Sequence, residues 1–336
     1  MKAIVTDGRG VACREVPDPE LSDYDSLVRM EVCLFCNTTD RRLATGAFSS
    51  GQQYPAILGH ESVGVVERTG PKVRHYKPGD RVLRPYAIYP GEVRGDLHSA
   101  WGGFAEFAKV CDGQAMIDDG APPGEAPFFF RQQQIVPADI APEQAWLAIC
   151  QKEILSSVGK FDRVEGLRFV VTGAGMVALL YGEFLKLRGA GHVTLVARRA
   201  GPLEFAKARG VADATVLTDD VDSLAPDSFD ALVDSAGSLP LVDSLMTKVA
   251  DGGPFYSYAT YDGMHREGFF DELKARHNFI RVNPDEPSAH DEAMALLREG
   301  RIEAAPYITH RFGPERIDEA WATVTEKLTL KTAVVF

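Results

Sequence analysis

Phe169-Val170-Val171-Thr172-Gly173-Ala174-Gly175-Met176-Val177-Ala178 decides the architecture of this chain. An apolar run that meets two glycines one residue apart and then opens a helix-forming stretch is a strand–turn–helix unit. Gly173 permits the tight turn, and Gly175 lets the backbone approach a pyrophosphate. The free N–H groups of the helix that begins at Met176 and Val177 stabilise the pyrophosphate charge. Ala178 stands where the third glycine of GxGxxG is commonly found. Outward from this turn the alternation continues with a helix from Met176, a strand over His192 to Ala197 and a helix over Pro202 to Arg209. Compact runs follow at Ala231 to Ser235 and Phe255 to Tyr258, each suited to a buried parallel strand. Residues 141–284 are therefore expected to form a doubly wound parallel sheet, a Rossmann-type α/β domain that binds a dinucleotide.

The second strand of such a unit ends in Asp or Glu when the ribose carries a free 2′-hydroxyl. Here it ends Leu195-Val196-Ala197-Arg198-Arg199. Two permanently charged, planar guanidiniums suit a 2′-phosphate, so NADP(H) is favoured over NAD(H). The alternative reading is a solvated arginine pair after a strand.

The chain has 336 residues, more than the roughly 250–300 that one core usually serves, so a second domain is expected. Before residue 140 the grammar changes to short β-rich runs, including Ser26 to Val32, Ser62 to Glu67 and Arg81 to Leu83, punctuated by Gly and Pro. Lys77-Pro78-Gly79-Asp80 reads as a turn that feeds the last of these. A helix through Leu328 and a strand from Thr332 to Phe336 are expected at the end, the strand rejoining the first domain. Pro122, Pro123 and Pro127 mark residues 118–133 as an exposed excursion. Lys plus Arg number 36 against 48 Asp plus Glu, and a net charge of -12 repels nucleic acid rather than binding it. Neither a secretion signal nor a stretch long and apolar enough for a membrane span is evident, and a cytoplasmic location is expected.

Five cysteines, an odd number, do not form a disulfide framework and leave thiolates for other chemistry. Cys36 is followed twenty-four residues later by His60-Glu61. A thiolate, an imidazole and a carboxylate are donors that Zn²⁺ accepts, and a catalytic zinc keeps one position open. Cys33-Leu34-Phe35-Cys36 also has the form of a redox CxxC, but it follows a strand-like run rather than opening a helix in a βαβ unit. A metal beside a nicotinamide implies hydride transfer.

Together these motifs resemble the zinc-dependent medium-chain dehydrogenase/reductase superfamily, which includes alcohol, sorbitol and threonine dehydrogenases. The residues that carry the resemblance are Met1-Lys2-Ala3, Cys36 with its neighbouring hydroxyls, Gly59-His60-Glu61, Lys77 to Val82, Gly102-Gly103-Phe104-Ala105-Glu106-Phe107 and the glycine turn. The resemblance implies a GroES-like β-rich catalytic domain over 1–140 and 285–336. It implies that Cys36 and His60 are zinc ligands, with Glu61 a direct ligand or an exchangeable neighbour. The last protein ligand falls on Cys150 or Glu153, and spacing to Gly173 favours Cys150. Family members write the first ligand in Cys-Gly-Ser/Thr-Asp, whereas this chain has Cys36-Asn37-Thr38-Thr39-Asp40. Thr38 holds the position of the proton-relaying hydroxyl, and Asp40, shifted by one residue, is the carboxylate that would orient His60.

The four-cysteine structural lobe of many relatives has no counterpart here, so one zinc per subunit is expected. Resemblance to polyol-type members implies a secondary alcohol or ketone of a sugar, cyclitol or polyol as substrate, and a homodimer or homotetramer. Phe48, Tyr86 and Trp101 are candidate pocket walls. Two other readings stay open: a zinc-free NADPH-dependent quinone or enoyl reductase of the same superfamily, and a dinucleotide-binding redox sensor that uses Cys33 and Cys36.

Overall fold

A computed structural model describes residues 1–48, 51–122 and 124–336. The chain divides into two compact units, one of Met1–Cys150 with Glu286–Phe336 and the other of Gln151–Asp285.

In the first unit the ten-residue strand Asp25–Leu34 is the organising element. It pairs antiparallel with Glu61–Thr69, Lys331–Val335 and Phe107–Cys111. Partners on both edges satisfy its backbone, so its apolar residues Val28, Met30, Val32 and Leu34 are buried. The sheet continues outward through Arg81–Leu83 to Ile135–Val136 on one side and through Ile308–Phe312 on the other. A second sheet runs in the order Val11–Glu15, Lys2–Thr6, Ala56–Ile57, Leu97–Ser99, Val93–Arg94. The core that includes Ile4, Phe35, Leu58 and Phe104 also takes in Ile317, Val324 and Val334 from the end of the chain. The mixed architecture of a GroES-like β-rich domain with a Rossmann-type sheet is thus observed, and the C-terminal strand does rejoin the first unit.

The second unit is an all-parallel sheet in the order Ala214–Leu217, His192–Ala197, Arg168–Thr172, Ala231–Asp234, Phe255–Ser257, Phe279–Arg281. Strand order reverses at Arg168–Thr172, whose neighbours are the strand that follows it and the strand two further on. Such a reversal opens a crevice beyond the carboxyl ends of the strands, where α/β sheets bind ligands. Val170, Leu232, Val242, Leu245 and Phe255 form the buried core beside it.

Two sequence expectations need correction. The last helix covers Ile317–Thr325 rather than continuing to Leu328, because Lys327 takes a left-handed backbone (φ 57°) that a right-handed helix does not accommodate. The 118–133 excursion is not exposed throughout: Ala126, Phe129 and Gln133 are buried, while Pro123 lies outside the described residues. Phe128–Gln132 forms a turn of 3₁₀ helix that buries Phe129 against Tyr86 and Tyr89, with ring centroids 5.6 and 4.6 Å apart. The apolar Phe128-Phe129-Phe130 triplet outweighs the proline signal because burying one aromatic removes a large area from water. Phe129→Ala is expected to lower the unfolding free energy by about 3–5 kcal/mol, measured by urea denaturation.

Candidate functional site

Sheet register brings the candidate donors to one end of the first unit. Leu34 pairs with Glu61 on one side and with Ala333 on the other, so Cys36, just past the strand end, lies beside Glu61 and Lys331. Gly59, which precedes His60, has φ 104°, and a Cβ there would meet the Phe104 ring at 2.5 Å and Cys33 Sγ at 2.7 Å. No side chain fits, so glycine is what lets the chain turn into His60.

One donor atom each from Cys36, His60 and Glu61 lies within 4.8 Å of the others. Cys36 is half-buried, and its N–H donates to Asp40 Oδ2 at 2.7 Å. The other oxygen of Asp40, which is fully buried, lies 3.4 Å from His60 Nδ1. The additional residue in Cys36-Asn37-Thr38-Thr39-Asp40 is taken up as the helix Thr39–Ala44 begins, so Asp40 still reaches the imidazole. With Nδ1 turned to a carboxylate, Nε2 is the nitrogen left for a metal. Burial lowers the pKa of His60, but the Asp40 carboxylate 3.4 Å away and the neighbouring Cys36 outweigh it and hold the pKa well above the usual value. A soft thiolate, an imidazole and a carboxylate converging at this spacing fit Zn²⁺.

Thr38 is the exposed residue before that helix and makes no side-chain cap. Thr39 is half-buried and its N–H points to Cys36 Sγ at 3.5 Å. Cys150 lies outside the three-donor set, and its thiol donates to Glu61 Oε2 at 3.0 Å. Glu153, the alternative fourth ligand, belongs to the second unit, where Tyr258 donates to it. The Trp101 ring lies 6.0 Å from that of His60 and 6.2 Å from Tyr86, on a backbone with φ 76°. Phe48 packs against the Phe35 and Phe104 core.

Sequence reasoning missed Lys331. Its ammonium reaches both oxygens of Glu61, Oε1 at 2.5 Å, and the Phe35 carbonyl at 3.4 Å, with both charged side chains buried. Burial raises the pKa of Glu61, but Lys331, His60 and the Cys150 thiol lower it further, so the carboxylate is held ionised. A lone lysine at the head of Thr332-Ala333-Val334-Val335 was the available signal, one residue before the expected strand.

In the second unit the glycine turn opens on a cavity of about 560 Å³ whose wall includes Gly173, Gly175, Arg198, Arg199, Thr218 and Ser238. Gly173 has φ 99° and Gly175 caps the helix Met176–Leu187. Met176 and Val177 do not line the cavity with their side chains; they begin the helix. Behind the turn is a buried network that the sequence did not reveal. Asp234 accepts from the Thr172 hydroxyl and from Tyr261 at 2.6 Å, and the N–H groups of Ala236 and Gly237 point to it at 3.1 and 3.2 Å. The Ser235 hydroxyl donates to the Thr172 carbonyl at 2.6 Å.

Residues 22–117 match the family model described as the alcohol dehydrogenase GroES-like domain. D-arabinitol dehydrogenase 1 of Uromyces fabae is 26% identical over 348 residues, covering 94% of this chain and 92% of that protein. Sorbitol dehydrogenase of Rattus norvegicus is 26% identical over 366 residues, covering 99% and 95%. Among solved structures, the alcohol dehydrogenase TADH from Thermus sp. ATN1 matches the fold with a TM-score of 0.78 at 22% identity, covering 100% and 99% of the two chains. The chain thus carries an alcohol dehydrogenase GroES-like domain over residues 22–117, and along nearly its whole length it is similar to polyol dehydrogenases, which supports the medium-chain dehydrogenase/reductase superfamily. Among its described residues no helix is long and apolar enough to cross a membrane.

Lys331→Met is expected to destabilise the protein by about 3–5 kcal/mol near neutral pH, because it leaves a buried carboxylate without its cation. In the wild type the Glu61 pKa is depressed, so its contribution is present above the unfolded value and lost on acidification. In the variant the lowering by Lys331 is gone and burial is opposed only by His60 and the Cys150 thiol, so that pKa rises and the carboxyl takes a proton as the pH falls. The deficit therefore shrinks from about pH 8 to about pH 5, as urea unfolding at both values will show.

Proposed function

We propose that this chain is a zinc-dependent oxidoreductase that transfers a hydride between NADP(H), or less readily NAD(H), and a secondary alcohol or its ketone. The observation that carries this reading is the convergence of Cys36, His60 and Glu61 within 4.8 Å, on a chain whose other unit presents the glycine turn of a dinucleotide-binding sheet. The dehydrogenase names of its near full-length relatives support an alcohol oxidoreductase. The polyols in those names favour a polyol, sugar or cyclitol as substrate.

Cys36 and His60 would hold the metal, with Glu61 and Cys150 as the further donors. Bound there, Zn²⁺ supplies Lewis acidity that polarises the substrate oxygen and brings the pKa of an alcohol toward neutrality. Asp40 keeps the His60 proton on Nδ1 and so fixes the tautomer. Thr38, exposed at the start of its helix, passes the hydroxyl proton to solvent. A nicotinamide dinucleotide, which would supply the hydride acceptor, would be held through the turn at Gly173 and Gly175 and the N–H groups of Met176 and Val177. Arg198 and Arg199 engage the 2′-phosphate of NADP(H).

Metal content of the purified protein tests the first part. About one zinc per chain is expected in the wild type and none in Cys36→Ala, with NADPH binding retained in both. A wild type that binds NADPH and no zinc sinks the reading in favour of the zinc-free reductase. The arginine pair is tested separately. Replacing Arg198 and Arg199 by Ala is expected to weaken NADPH binding about 10- to 100-fold, from about 1.5–3 kcal/mol of charged hydrogen bonding, with little change for NADH. Equal losses for both nucleotides would count against 2′-phosphate recognition.

A further inference from the structure

Arg84 is a buried cation outside the donor set. It follows the strand Arg81–Leu83, and its backbone is left-handed (φ 55°), a region that a non-glycine residue enters at a cost. Its side chain is 5% exposed and that of Glu286 2%. Nε and Nη2 lie 2.8 and 2.7 Å from Glu286 Oε2, while Nη1 donates to the backbone carbonyl of His60 at 2.8 Å. The Arg84 backbone is pinned as well: its N–H donates to the Ser62 carbonyl at 2.8 Å, and its carbonyl accepts from the Gln133 amide at 3.0 Å.

A buried ion pair is weak as a source of stability, since desolvating both charges offsets most of their attraction. A strained backbone adds to the cost, so the pair calls for a reason other than stability. The contacts supply one. Only a planar guanidinium can turn one edge to a carboxylate and its remaining nitrogen to a carbonyl at the same time. The carbonyl it holds belongs to His60, the residue between the glycine that no side chain can replace and the carboxylate that Lys331 grips. His60 and Glu61 are thus fixed from two directions, His60 through its backbone by Arg84 and Glu61 through its side chain by Lys331. Glu286 and Lys331 both come from the segment with which the chain returns to the first unit.

We propose that Arg84, locked by Glu286, is a positioning residue that sets the metal-binding geometry of His60; this rests on the metal reading given above. The test uses the full chain loaded with Co²⁺, whose visible absorption reports coordination geometry. Arg84→Met and Glu286→Gln are expected to give up the metal to a chromophoric chelator with about 10- to 100-fold lower affinity than the wild type, and with shifted Co²⁺ bands. Arg84→Lys, which keeps the charge and loses the fork, is expected to fall between the wild type and Arg84→Met. NADPH titration is expected to be unchanged in all three. If Arg84→Met does not fold, Glu286→Gln, which keeps the side-chain shape, decides alone. Folded variants that retain Co²⁺ as tightly as the wild type with the same bands, and lose only stability of the metal-free protein, overturn the proposal while leaving the metal reading intact. A wild type that takes up neither Co²⁺ nor Zn²⁺ overturns both.

Discussion

A carboxylate buried in a β-sheet stays ionised only where opposite charge or donated hydrogen bonds replace its water, and Glu61 meets that condition chiefly through Lys331. The pairing links distant parts of the sequence, because Glu61 begins one strand and Lys331 begins the last. Both strands flank Asp25–Leu34, whose end carries the chain to Cys36. The candidate metal centre is therefore a product of sheet closure: its cation and one of its three donors come from strands 270 residues apart. This gives a physical reason why the end of the chain must come back to the first unit rather than simply finishing the second.

How legible this was depended on whether the determining contacts were local. The glycine turn carries its own context, since the strand before it and the helix after it lie within a few residues of Gly173 and Gly175. His192 to Ala197 could be delimited from sequence because an apolar run between turn signals is a local property. The donors Cys36, His60 and Glu61 were legible for a different reason: few structural roles need a thiol, an imidazole and a carboxylate together. Their partners were not. Lys331, Arg84 and Glu286 look like ordinary surface charges in a linear reading, and only long-range pairing shows them buried.

The same division holds for the turn's supports. Asp234 ends an apolar run and could pass for a strand-end polar residue, yet it collects Thr172, Tyr261 and two backbone N–H groups into one buried network. Phe129 illustrates the opposite error. Proline punctuation is a strong signal for chain direction, but it does not determine whether an aromatic nearby finds a pocket, here between Tyr86 and Tyr89.

The two units solve a similar electrostatic problem by different means. In the first, the buried Glu61 carboxylate is met by a discrete buried cation, Lys331, while a second buried cation, Arg84, paired with Glu286, holds the His60 backbone. In the second, the candidate ligand brings the negative charge, and the chain answers with the backbone N–H groups of a helix start and two arginines on the cavity wall. An acid at the end of His192–Ala197 would place a like charge beside a 2′-phosphate; under the proposed function Arg198 and Arg199 would replace that repulsion with attraction. Buried, paired charges suit a site whose geometry must be fixed before its metal arrives. Wall-mounted charges and free N–H groups suit a site that must accept and release a whole nucleotide at each turnover, because their hydration can be exchanged for the ligand and recovered when it leaves.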